Sequence, residues 1–234
     1  MSVPSPVIIW CDVSFETDGS YQSMKDEFNE ITTGTPKQDP DAMDVSILNE
    51  EMREFHSNNV PLVFVRTIDD ATKKINEHIN DKVFIICSGT IGRALVPIIA
   101  QKHLTVHDIY IYTHDFALHA DWAMMYVQMI KMFDFHTSLL IRLTHDISKW
   151  HIEQGKSYLQ LNDSISALKY FQQAHKLETA ANKRGETDWN LPGTATRLHP
   201  TAFLTYLKQL EGEHGLIAQA ENAIRARGLP VQNS

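Results

Sequence analysis

A chain of 234 residues, 43% hydrophobic and 21% charged, has room for one large domain or two small ones and enough apolar side chains to bury a core. Its net charge of −8 and its lack of any basic run argue against a nucleic-acid partner. No apolar stretch nears the ~20 residues of a membrane-spanning helix. The start, MSVPSPVIIW, lacks the charged-then-apolar pattern of a signal peptide. Two cysteines, Cys11 and Cys87, each follow a strand-like run and fit a reducing, cytoplasmic setting better than a disulfide framework.

Val7–Cys11 reads as the first strand, ending at Asp12. The polar stretch from Glu16 to Asp44 reads as a long loop, with a turn of helix near Tyr21–Phe28. Asp44 or Ser46 is placed to cap a helix running to about Asn58, with Ile47, Met52 and Phe55 inward. Pro61–Arg66 is a second strand, and Thr67 caps a helix over Ile68–Ile79 with Ala71, Ile75 and Ile79 at four-residue steps. Val83–Cys87 is the third strand, Ser88-Gly89 a tight turn, and Ile91–Lys102 its helix. Asp108–Thr113 is the fourth strand, Phe116–Tyr126 a short helix, and Gln128–Phe133 a short fifth strand. Strands alternating with helices predict right-handed crossovers and an α/β, doubly wound, five-stranded parallel sheet of the flavodoxin type over residues 1–134.

From residue 135 to 234 the pattern turns helical. Thr137–Leu161 has helical spacing, Asn162-Asp163 breaks it, and Asp163 or Ser164 caps Ile165–Ala180. Asn190–Gly193 is a loop. His199-Pro200 opens a further helical segment, weakened at Gly212 and Gly215, and Leu216–Arg227 stops at Gly228 and Pro230. Small residues at Gly155 and Ala167, beside Tyr158, Phe171, Ala174 and Leu177, let two antiparallel helices approach closely. This spacing resembles one tetratricopeptide repeat over about residues 148–181. Thr179 stands where the repeat's closing proline belongs, and no second repeat follows. The resemblance implies protein binding, and one repeat, which cannot bury its own apolar faces, must lie against the sheet domain, the C-terminal helices or another chain, whether a partner or a second copy.

The five-strand order resembles the response-regulator receiver domains. Matched position by position, Asp12 takes the place of an acidic residue after the first strand and Thr113 that of the hydroxyl after the fourth. Lys131 is a loose match to the lysine. The phosphoacceptor position carries Cys87-Ser88-Gly89 and no carboxylate, which implies a degenerate receiver. Trp10, Asp12, FIICSGTIGRALVPII, DIYIYT, Trp122 and the IKMF-to-LLIRLTHDI junction also resemble a receiver-like N-terminal domain of multidomain rotifer-type proteins, over roughly residues 7–180. There such a domain precedes tetratricopeptide arrays or an ADP-ribosyltransferase. No Glu-x-Glu in a strand context is found here, so the resemblance implies an accessory or sensing role.

Cys87-x5-Arg93 also resembles the tyrosine-phosphatase phosphate loop, with Ser88, Ile91, Gly92 and Arg93 in matching places. That chemistry needs a thiolate, amides at a helix start and a bidentate arginine. Ile86 replaces the usual histidine and Thr90 a glycine, and no Trp-Pro-Asp loop precedes. Asp69 and Asp70 start a helix instead. Cys87 is therefore read first as a buried strand residue, with phosphatase chemistry through Cys87 and Arg93 as the alternative. A nucleotide-cleaving enzyme is a further alternative for which no carboxylate singles itself out. His114, Asp115, His119 and Asp121 crowd one loop but do not complete a metal site. Tyr110, Tyr112, Phe116 and Trp122 are read as core, and His145, Asp146 and His151 as a solvated helix face.

The expected molecule is thus a non-enzymatic signalling or scaffolding module needing no cofactor. Asp12, Ser88, Gly89, Thr90, Arg93 and Thr113 would bind a small anionic or nucleotide ligand at the strand ends. The helical region would dock a protein partner.

Overall fold

Four apolar runs and one short, mixed run lie side by side in the same direction. A computed structural model describes residues 4–12, 61–189 and 204–228. Its strands are β1 (Pro6–Cys11), β2 (Leu62–Val65), β3 (Lys82–Ser88), β4 (Asp108–Tyr112) and β5 (Ile130–Phe133). They form one parallel sheet in the order β2-β1-β3-β4-β5, the flavodoxin-like order. The register sets Ile9 against Val63 and Ile85, and Ile85 against Ile109. Between the strands run α1 (Ile68–Glu77), α2 (Gly89–Gln101) and α3 (Phe116–Met125).

All three helices pack on one face, where Val7, Ile9, Cys11, Ile85, Cys87 and Ile111 meet Ala71, Ile75, Leu95, Ile99 and Trp122. The alternate residues Ile8, Trp10, Phe84, Ile86 and Tyr110 point the other way and are just as buried, at 0–1% exposure. Burial on both faces is why β1 and β3 read as continuous apolar runs and not as alternating ones. Trp10 with Phe64, Phe84 with Tyr110, and Tyr110 with Phe133 make an aromatic row across that second face. The sheet is therefore doubly wound.

The remaining described residues are helical: α4 (His136–Gln160), α5 (Ser164–Trp189), α6 (Leu204–Leu210) and α7 (Leu216–Arg225). Two compact units result, 4–12 with 61–139 and 140–189 with 204–228, so the division falls inside α4. In the second unit α4 and α5 run antiparallel: Ser148 donates to the Ala174 carbonyl at 3.2 Å, His145 meets Glu178, and Gly155 lies against Phe171. A Cβ at Gly155 would stand 2.4 Å from the Phe171 ring, so this close crossing needs glycine. Asn162, at φ +64, turns the chain, and Asp163 caps α5 by accepting from Ser166 N at 3.1 Å. Ile152, Ala167, Phe171, Ala174, Leu210, Ala220 and Ile224 share one core.

Some expectations are corrected. α5 continues to Trp189, past the expected end at Ala180. Ile79 lies beyond the end of α1 and is 57% exposed. Phe116, expected in the core, is 42% exposed. His151 and Asp146, expected on a solvated face, are buried. The loop and helix expected over residues 13–60, the loop at Asn190–Gly193, the helix start at His199-Pro200 and the tail after Pro230 lie outside the described residues.

Candidate functional site

Strand order sets where a ligand is expected. The chain steps from β1 to β2 on one side, then crosses back to β3 on the other. The strand ends of β1 and β3 thus flank the point where the order reverses, the usual crevice of open parallel sheets. Cys11 and Cys87 are register partners there, so Asp12 and Ser88 leave the sheet side by side. Asp12 is buried, and its amide donates to the Val65 carbonyl at 3.0 Å.

Ser88 caps α2, its hydroxyl accepting from Ile91 N at 3.4 Å. Gly89 and Thr90 are the first two residues of the helix. An α-helix leaves its first N–H groups without intrahelical partners, which makes this end a donor cluster with positive polarity. Arg93 follows Gly89 by four residues, hence on the same side one turn along, and is exposed.

His119, which the sequence places only among the candidate metal ligands of its loop, is brought by the fold to the start of α2. It projects from α3, is 6% exposed, and its ring covers Gly89. A Cβ on Gly89 would lie 2.4 Å from His119 Nε2. The indole Nε1–H of Trp122 donates to His119 Nδ1 at 3.2 Å. An indole nitrogen only donates, so Nδ1 holds the lone pair and Nε2 carries the hydrogen. The clue in the sequence was His119-x2-Trp122, one turn apart on α3, following a glycine-started helix.

Thr113 also stands at the rim, after β4, but its hydroxyl is engaged in the turn before α3. It donates to the Asp115 carbonyl at 3.3 Å and lies 3.2 Å from the Asp115 amide that donates to it. Lys131 does not reach the rim. It is ion-paired at 2.8 Å with Asp108, at the opposite end of β4, and lies over the Tyr110 ring. Tyr112 and His114 pair with one another at 3.1 Å.

Cys87 is buried beneath α2, its Sγ 3.6 Å from where a Cβ on Gly92 would lie. Burial pushes its thiol well above the ordinary range, with Cys11 and Asp12 adding to the effect. Cys11 is pushed up to about 11, first by burial and then by Asp12 and Asp70. Both thiols are free and protonated at neutral pH. Among the described residues no group of three or more His, Cys, Asp or Glu side chains is arranged to hold a metal ion. Nor is any described helix long and apolar enough to cross a membrane.

Comparison of the chain with protein-family models, with curated proteins and with solved structures found no match.

Proposed function

We propose that the chain is a non-enzymatic signalling or scaffolding module, a degenerate receiver-like sheet joined to a helical region that docks a protein. The rim of Asp12, Ser88, Gly89, Thr90, Arg93 and Thr113 takes a small anionic or nucleotide ligand. The observation that carries this reading is the start of α2, where helix amides, Ser88, Thr90 and Arg93 gather positive polarity at the reversal point of the sheet. β3 ends there at Ser88 and α2 begins at Gly89, so no carboxylate follows the third strand to accept a phosphoryl group. Leu161 and Ile165, exposed at the tip of the helical hairpin, support the docking role. Two free thiols suit a cytoplasmic setting.

A panel of phosphates and nucleotides tested by thermal shift is expected to raise the melting temperature, less so in Arg93→Ala. A flat response across the panel removes the ligand and leaves the scaffold. Sedimentation over a range of concentrations separates a foreign partner from a second copy: a monomer throughout excludes self-association.

The alternative, a cysteine-dependent phosphatase, is supported by the Cys87-x5-Arg93 spacing. A buried thiol held in its protonated form lacks the thiolate that such chemistry requires. We expect no turnover of para-nitrophenyl phosphate from pH 5 to 7. Turnover that vanishes in Cys87→Ser would reinstate the enzyme.

A further inference from the structure

The first turn of α2 and His119 form one set of hydrogen-bond donors, and the geometry points to a terminal phosphate group as what it holds, with His119 Nε2–H as a fixed neutral donor. This rests on the reading of the rim as an anion site. His119 is more than nine-tenths buried, yet its Nε2 makes no hydrogen bond among the described residues. That nitrogen is the ring atom nearest the Cβ position of Gly89, so it faces the opening turn of the helix. Trp122 sets the tautomer by occupying Nδ1. The ring therefore donates without carrying a charge. A side chain on residue 89 would expel it, so glycine at the head of α2 and histidine on α3 belong to one arrangement.

The donors differ in kind and direction. They comprise the Gly89 and Thr90 amides, the Ser88 and Thr90 hydroxyls, Nε2–H of His119, and the Arg93 guanidinium one turn along the same side, the Ile91 amide being taken by the Ser88 cap. A tetrahedral phosphate presents three outer oxygens and can meet helix, imidazole and guanidinium at once, where a planar carboxylate offers two. Asp12, buried on the neighbouring strand end, opposes an anion here. Arg93 supplies the compensating charge.

Calorimetric titration of the full chain with inorganic phosphate in one arm and a nucleoside monophosphate in the other tests this. Native protein is expected to bind in at least one arm, and the stronger arm tells a free phosphate from an esterified one. His119→Leu is expected to weaken binding about tenfold or more, the cost of one hydrogen bond to a charged group. His119→Gln, whose amide can donate from a similar place, is expected to recover part of it. Equal affinity in native and His119→Leu protein overturns the role of His119 and leaves the anion site standing. No binding by native protein in either arm overturns both. If His119→Leu does not fold, nitrogen NMR of native protein decides: a phosphate-dependent shift at Nε2 upholds the inference, and an unmoved Nε2 ends it.

Discussion

His151 lies fully buried on α4 with neither ring nitrogen hydrogen-bonded, its ring 5.0 Å from that of Trp150 and 5.8 Å from that of Tyr170. Burial alone holds its pKa down, from the usual 6.5 to about 3. The folded state then binds fewer protons than the unfolded one between those values. Stability from a neutral His151 is whole above pH ~6.5 and declines towards pH ~3, by up to about 1.4 kcal/mol per pH unit. Urea denaturation from pH 7 down to 4 should show a steeper loss in native protein than in His151→Phe. Identical slopes would remove His151 from the account. Here the sequence misled: helical spacing says which residues share a face, not whether a later helix will cover it. At Gly155 and Phe171 the opposite holds, because a small residue opposite a ring is a local requirement visible in the chain itself.

At the scale of elements, caps and turns were legible where side chain and backbone act within a few residues. Thr67 accepts from Asp70 N at 3.0 Å to start α1, and Asp115 accepts from Leu118 N at 3.1 Å to start α3. Thr67→Ala should cost about 1 kcal/mol, the usual value of such a cap, read as a lowered urea midpoint with an unchanged slope. An unchanged midpoint would mean that tertiary packing alone holds α1. The strands were legible for another reason: β-rich apolar runs such as Val83–Cys87 have no other place than a sheet buried on both faces. The rim was legible in part. Ser88, Gly89 and Arg93 belong to a continuous strand–turn–helix, whereas His119 comes from a different crossover. Only the fold brings it over Gly89, so spacing along the chain gave no reason to join them. The end of α5 was misplaced because the apolar spacing fades after Ala181, whereas regular helix continues through Arg184 and Gly185 to Trp189, just ahead of Pro192 and Gly193.

At the scale of the whole molecule, β1 is an interior strand of the sheet with β2 on one side and β3 on the other. It is the earliest strand in sequence and, in space, a strand both neighbours need. Deleting residues 1–12 removes Ile8, Ile9, Trp10 and Cys11 from the two cores at once. The truncated chain is expected to lose its near-ultraviolet circular dichroism and its cooperative melting. A truncated chain that melts as sharply as the native one would show that β2 and β3 can close directly on each other. The opposite end of the sheet has its own consequence. Among the described residues β5 is a short border strand paired on one side only, and its Lys131 is drawn back onto Asp108 and the Tyr110 ring. A foreign strand seeking to extend the sheet there meets only four rungs and an ammonium that must give up its water, so this border discourages stacking of molecule upon molecule into fibres.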